Sequence, residues 1–187
     1  MSKLFVKLQV QATGALRAGN FVECDRVFAE GLYHLPPSPF HIALDLNFTN
    51  PPGDVASHFD AFFRQEAQRF EIAAAYTEMN GFDINPDRWY LDVFAYESYG
   101  GQDDLDWISD WQSDSFPDLT LTGMEELQEV FASPAFDQPE FRDAAYVVDL
   151  LVVSRFQQLI QRSAPLMKEL RFPLLATAHD FDFISEV

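Results

Sequence analysis

The segment between Arg88 and Ser98 constrains the fold more than any other part of this sequence. Successive side chains of a β-strand point to opposite faces of a sheet, so alternate residues share a face. As a strand, the segment would place Trp89, Leu91, Val93 and Ala95 on one face, and Tyr90, Asp92, Phe94 and Tyr96 on the other. Because both faces are largely apolar, we expect a central strand that other parts of the chain cover on both sides.

The same alternation predicts several further strands. Near the N-terminus, Val6, Leu8 and Val10 alternate with polar residues, and residues 40–48 show the clearest alternation in the chain. The other predicted strands are residues 71–79, 119–122 and 174–178, with residues 181–183 as a closing strand or an extended tail.

Apolar residues at helical spacing predict three helices. They are a helix that is capped by Asp54 and runs to about Arg69, a helix over residues 123–131, and a longer helix from about Pro139 to Arg162. Residues 21–35 fit either a short helix or a strand, and the prolines that follow end this segment. Together these patterns predict an α+β fold in which residues 1–187 form a single domain, with helices packed against a mostly antiparallel sheet.

The composition provides a core that needs neither disulfides nor metal. Hydrophobic residues make up 48% of the 187 residues and aromatic residues 15%, which is ample apolar surface for a domain of this size. The single cysteine, Cys24, excludes an intrachain disulfide, and its acidic neighbours make it a poor nucleophile. No apolar run is long enough for a secretory signal or a membrane span. We therefore expect a soluble, cytoplasmic protein without a cofactor.

The negative charge is concentrated in one region of the chain. Residues 89–141 hold thirteen Asp or Glu and no Lys, Arg or His, whereas the whole chain has a net charge of −18. A surface field of one sign attracts partners of the opposite sign and repels nucleic acid and anionic membranes. The chain has only three Lys and nine Arg, without a basic stripe. We therefore expect neither direct nucleic-acid binding nor membrane binding.

Aromatic side chains lie among these acids, which is typical of a surface that binds a basic protein. Aromatic residues carry much of the energy of protein interfaces, and charges accelerate encounter. The predicted partner-binding residues are Asp103, Asp104, Asp106, Asp110 and Asp114 for steering, with Tyr99, Trp107 and Trp111 as anchors. If residues 106–114 are helical, Asp106, Asp110 and Asp114 share one helical face.

This pattern predicts a non-enzymatic, acidic protein-binding domain. Immunity-type and inhibitor proteins that block a basic toxin or nuclease share its small size, its poverty in cysteine and its localised acidic surface. The alternative interpretation of the charge is a solvated face that only confers solubility.

The sequence leaves two other functions open. One is a metal-dependent hydrolase, whose ligands would be His41, Asp45, His179 and Asp182, although no His-Glu-x-x-His motif is present. Glu78 and Asp92 lie on adjacent predicted strands, so these two carboxylates could also come close together. The other function is that of a homo-oligomeric structural or scaffold protein, in which a homodimer interface would bury the aromatic surface.

Overall fold

Helices and short strands alternate irregularly along the chain. This computed structural model describes residues 3–102 and 105–187. The α-helices are α1 (Lys3–Arg17), α2 (Phe21–Tyr33), α3 (Pro52–Glu66), α4 (Glu125–Phe131) and α5 (Arg142–Ser163). The strands are β1 (Ala74–Asn80), β2 (Tyr90–Tyr96), β3 (Leu119–Thr120), β4 (Leu174–Ala178) and β5 (Ser185–Glu186). Short 3₁₀ helices cover Pro39–Leu44, Asp106–Ser109, Pro139–Phe141 and Ala164–Leu166.

The strands form one five-stranded sheet in the order β3-β2-β1-β4-β5. Strand β1 pairs with β2 in antiparallel fashion and with β4 in parallel fashion, and the two outer pairs are antiparallel. The predicted α+β architecture with a mostly antiparallel sheet is therefore confirmed. Strand β2 has a neighbour on each side, so its predicted central position is confirmed, but its face with Tyr90, Asp92 and Phe94 is only partly covered.

Helix α5 contributes more buried residues than any other element among the described residues. Its apolar residues from Val147 to Ile160 are fully buried, and the helix contacts α1, α2, α3 and β4. Residues 150–157 of α5 are buried without interruption over two helical turns, so these four elements enclose this part of the helix. In the part of the chain that the structure describes, no helix combines the length and the apolar character that crossing a membrane requires.

Polar side chains on α5 attach it to the backbone of its neighbours. Ser154 Oγ and Gln158 Nε2 both donate to the carbonyl oxygen of Phe21, each over 3.3 Å, at the start of α2. Gln157 Nε2 donates to Ala176 in β4 over 3.0 Å and to Phe183 over 2.7 Å. Buried backbone carbonyls need such partners, so these bonds hold α2, β4 and the tail in place around α5.

Arg155 makes the strongest of these attachments. Its Nε donates to Asp25 Oδ1 in α2 over 2.7 Å, and its Nη1 donates to the carbonyl oxygens of Ala43 and Leu46. The guanidinium group is almost fully buried, and a buried charge of this kind is tolerated only when it is paired and hydrogen-bonded. Arg155 therefore determines the path of the chain through residues 43–46.

Two predicted strands are wrong. Residues 6–10 belong to α1, in which Phe5, Leu8, Ala12 and Leu16 are buried at helical spacing. Residues 40–48 form the 3₁₀ helix Pro39–Leu44 and an irregular segment, because the carbonyls that a strand would use for pairing bond to Arg155 instead. Of the residues that formed the first alternating pattern, Leu8 is buried in α1, whereas Val6 and Val10 are exposed.

The other predicted elements are found with shifted ends. The ambiguous residues 21–35 contain helix α2. The helix predicted from Asp54 is α3, which begins at Pro52, so Asp54 lies in its first turn and not at its cap. Helices α4 and α5 match the predictions for residues 123–131 and 139–162 closely.

Replacing Arg155 with Met is expected to lower the free energy of unfolding by about 3–5 kcal/mol, because the change leaves buried polar groups without their partner. Urea denaturation followed by circular dichroism measures the loss. Arg26→Met is the matched control: Arg26 pairs with Glu23 and Glu30 on the exposed side of α2, so its loss should cost less than about 1 kcal/mol. Equal losses in the two variants would contradict the role given to Arg155.

Candidate functional site

The two faces of the sheet differ in character. On the inner face, Leu91, Val93 and Ala95 of β2 join the main core beneath the helices. On the outer face, the strand register places Tyr76 opposite Phe94 and Glu78 opposite Asp92. This outer face is only partly covered, so it is where the fold exposes polar and aromatic side chains together.

A cleft of about 540 Å³ lies over the outer face, and we call it the outer cleft. Its floor is formed by β1 and β2 through Tyr76, Glu78, Phe94 and Tyr96. One wall comes from residues 105–111, and the other from residues 179–184, which follow β4. The described residues that line it include no Lys or Arg, and among them only His179 has a side chain that can carry a positive charge.

Aromatic rings run across the floor and up one wall of the outer cleft. The ring of Phe94 stacks on Tyr76 at 6.0 Å between centroids and contacts the indole of Trp111 at 5.3 Å. Trp111 is 53% exposed, which is unusual for so large an apolar side chain. The rings thus form a continuous apolar path that ends in an exposed indole.

A second aromatic group surrounds Trp107. Its ring meets Tyr96 at 4.7 Å and Tyr99 at 5.4 Å, and its Nε1 donates to the carbonyl oxygen of Gly101 over 2.9 Å. A side chain at Gly100 would overlap the indole, so the glycine makes room for it. Trp107 is therefore half-buried and mainly positions the 3₁₀ helix, whereas Tyr99 and Trp111 are the more exposed rings.

Polar groups meet at the other end of the outer cleft. Glu78 Oε1 lies 3.0 Å from His179 Nδ1, and Tyr76 donates its hydroxyl to Glu78 Oε2 over 3.0 Å. The backbone N–H of His179 donates to Met79 over 3.0 Å, which continues the parallel pairing of β1 and β4 and brings the imidazole to Glu78. Burial, and then the charge of Glu78, raises the pKa of Tyr76, so its phenol stays protonated and acts as a donor.

Glu78 and Asp92 face each other across β1 and β2, so the predicted proximity of these carboxylates is confirmed. Asn80 Nδ2 donates to Asp92 Oδ2 over 3.0 Å. Burial, and then the charge of Glu78, raises the pKa of Asp92. Like charges directly opposite on a sheet are unfavourable, so this pair lowers the stability of the folded protein at neutral pH.

Glu66 of α3, together with Arg69, holds the segment that covers the outer face. Glu66 is fully buried and accepts hydrogen bonds from Arg69 Nη1 and, over 3.2 Å, from the backbone N–H of Asp114. Arg69 also pairs with the Asp114 carboxylate at 3.0 Å. Ser113 Oγ then accepts from the backbone N–H of Ala95 over 3.1 Å. We call residues 105–114 the covering segment, because these contacts fix it over β2.

The predicted partner-binding residues fall into three groups. Asp103 and Asp104 lie outside the described residues. Asp106 and Asp110 are exposed at the two ends of the 3₁₀ helix Asp106–Ser109, while Asp114 pairs with Arg69. The predicted helical face shared by Asp106, Asp110 and Asp114 does not form, because the helix ends at Ser109 and the chain continues without regular secondary structure.

The predicted metal ligands lie on separate elements. His179 and Asp182 line the outer cleft. His41 and Asp45 lie at the 3₁₀ helix Pro39–Leu44, where His41 Nδ1 accepts from the backbone N–H of Ser38 over 3.2 Å. Among residues 3–102 and 105–187, no group of three or more His, Cys, Asp or Glu is arranged to hold a metal ion. The metal-dependent hydrolase stays a prediction.

Several residues that line the outer cleft were not among the predicted site residues. The alternation of β1 and β2 shows that Tyr76, Phe94 and Tyr96 share a face, and this signal was present in the sequence. The contact between Glu78 and His179 depends on the parallel pairing of β1 with β4, for which no local pattern exists. Burial raises the pKa of the Cys24 thiol to about 11, in agreement with its predicted lack of reactivity.

Replacing Asp92 with Asn is expected to raise the free energy of unfolding at neutral pH by up to about 1 kcal/mol, because it removes the repulsion from Glu78. When folding raises the pKa of an acid, the protein loses stability as the pH rises from the ordinary pKa of that acid, 3.8 for Asp92, through its raised pKa. The gain should therefore vanish as the pH falls towards 3.8 in urea titrations. Asp110→Asn, on the exposed surface, should change stability little at any pH. A less stable Asp92→Asn variant at neutral pH would refute the interpretation.

No protein-family model, curated protein or solved structure matches this chain. Its function is therefore inferred from the geometry and chemistry of its own side chains.

Proposed function

We propose that this chain is a non-enzymatic binding domain for a basic protein, and that the outer cleft and the covering segment form its contact surface. The observation that carries this proposal is the exposed indole of Trp111, which rests on Phe94 at the edge of a cleft lined by Glu78, Asp180 and Asp182. An exposed aromatic side chain among carboxylates is suited to a cationic protein surface.

Aromatic anchors supply the affinity in this proposal. Trp and Tyr are the side chains that most often dominate the energy of protein interfaces, because they bury a large area at a small entropic cost. The ring of Trp111 packs on Phe94, and the ring of Tyr99 packs on Trp107. Both exposed rings are therefore ordered before a partner binds. Burying ordered rings avoids part of the entropy loss of association.

Carboxylates supply the steering. Asp106, Asp110 and Asp180 are exposed around the outer cleft, within a chain whose net charge is −18. Such a field accelerates the approach of a basic partner and is screened by salt over about 8 Å at physiological ionic strength. Lys or Arg side chains of the partner would enter the outer cleft between the aromatic floor and the acidic wall, where cation–π contacts and carboxylates both favour a cation.

A toxin or nuclease is the partner class that fits best. Such proteins often act through basic clefts that bind nucleic acid, and an acidic domain that covers the cleft blocks access to it. This is the inhibitor or immunity-type role expected from the sequence.

The proposal is tested by paired capture and then by direct binding. The wild-type chain and a Trp111→Ala variant serve as parallel baits in a lysate of the native source, and mass spectrometry identifies proteins of high pI that only the wild type retains. A purified candidate should then bind Trp111→Ala about thirtyfold more weakly, equivalent to about 2 kcal/mol. Asp106→Lys with Asp110→Lys should slow association about tenfold at low salt in surface plasmon resonance.

Matched controls lie elsewhere on the surface. Tyr33→Ala removes an exposed aromatic ring on α2, and Glu126→Lys with Glu129→Lys makes the same charge change on α4. Both controls should bind like the wild type. Binding that is insensitive to Trp111→Ala, or equally sensitive to the α4 charges, would refute the proposed surface. A homodimer in light scattering that Trp111→Ala dissociates would favour the homo-oligomeric alternative instead.

A further inference from the structure

A second cavity lies beside the outer cleft, and the turn after β4 forms part of both. This cavity has a volume of about 350 Å³. Asp180, Phe181 and Asp182 line both spaces. The remaining lining residues of the second cavity are Phe5 and Gln9 of α1 with Tyr146 and Asp149 of α5. Asp180 has a φ of +63°, a conformation that Asp tolerates better than most residues, so the turn can place these side chains between the two spaces.

Three aromatic rings form a corner of the cavity. Phe5 meets Tyr146 at 6.1 Å with an interplanar angle of 72°, and it meets Phe181 at 6.4 Å with an angle of 56°. The rings thus present faces in several directions. Faces of aromatic rings carry negative electrostatic potential and attract ammonium groups within about 6 Å of their centroids.

The carboxyl group of Asp149 completes this arrangement. The side chain as a whole is half-buried, but its Oδ1 is shielded from solvent and has no hydrogen-bond partner among the described residues. Burial, and then the charge of Asp83, raises the pKa of Asp149. A buried carboxyl oxygen without a partner costs free energy, and the positive charge of a bound cation would offset that cost electrostatically.

The charge of the lining indicates which charge a ligand should carry. Asp149, Asp180 and Asp182 contribute three carboxyl groups, and among the described lining residues there is no Lys, Arg or His. Anions are therefore repelled, and a neutral ligand would leave the acids uncompensated. The volume is at the lower end for small-molecule sites, which suits a ligand of a few carbon atoms.

We propose that this second cavity binds a small organic ammonium ion, with the aromatic corner of Phe5, Tyr146 and Phe181 around the alkyl groups and Asp149 as the counter-ion. The cavity shares Asp180, Phe181 and Asp182 with the outer cleft, but neither Trp111 nor the covering segment lines it. A ligand here would therefore contact the turn at residues 180–182 without contacting Trp111.

The test uses choline and its neutral isostere 3,3-dimethyl-1-butanol as probes on the full chain, at constant ionic strength in mildly alkaline buffer, which favours the ionised form of Asp149. Isothermal titration calorimetry should show choline binding at least about tenfold more tightly than the alcohol. Asp149→Asn should reduce choline affinity about tenfold or more. In NMR spectra, choline should shift the signals of Phe5 and Tyr146 but not those of Trp111.

Two further variants keep the test decisive. Asp149→Asn should fold, because it removes an ionisable group from buried surroundings, and Phe181→Leu should weaken choline binding severalfold through loss of one ring. Glu126→Gln, on the exposed side of α4 and away from the cavity, should bind choline like the wild type. Equal affinity for the alcohol, no choline binding at high millimolar concentration, unchanged binding by Asp149→Asn, or shifts centred on Trp111 would each overturn the proposal. None of these outcomes bears on the binding of a basic protein, which is measured separately.

Discussion

The burial of α5 on all sides is the constraint on which the rest of this structure depends. A helix whose apolar residues from Val147 to Ile160 are fully buried cannot exist at a surface, so α1, α2, α3 and the sheet must surround it. Its few polar side chains then act as anchors. Arg155 holds α2 and residues 43–46, and Gln157 holds β4 and Phe183. Most of the polar groups that α5 buries thus fix the position of a neighbouring element.

These anchors also place the candidate sites. Gln157 fixes β4 beside β1, and the parallel pairing of these strands brings His179 to Glu78 at the end of the outer cleft. On the other edge, the buried Glu66 and its partner Arg69 hold the covering segment over β2. The outer cleft is therefore formed by two segments of irregular chain that are each fixed by buried polar contacts, which makes it a defined surface and not a mobile loop region.

Charge is distributed over this surface in a way that favours cations in two separate places. The outer cleft and the second cavity share Asp180 and Asp182, and the described residues that line them include no Lys or Arg. Arg69 and Arg88 are paired with Asp114 and Asp118 of the acidic region. Asp106, Asp110 and Asp180 are exposed to solvent. These exposed carboxylates add to the negative potential around exposed Trp111.

The sequence by itself determined the fold class, the helices α3, α4 and α5, and the interior position of β2, because periodic burial leaves a direct trace in the order of residues. It also put Glu78 and Asp92 on adjacent predicted strands, and the register of the sheet then places the two carboxylates opposite each other. Local alternation misled at residues 6–10 and 40–48, where helical burial in α1 and the carbonyl contacts of Arg155 prevailed. Only the tertiary structure decided that Asp114 pairs with Arg69, that His179 meets Glu78, and that Asp149 lines a cavity with Phe5. Each of these contacts joins residues far apart in the chain, and their partners depend on packing that no local pattern encodes.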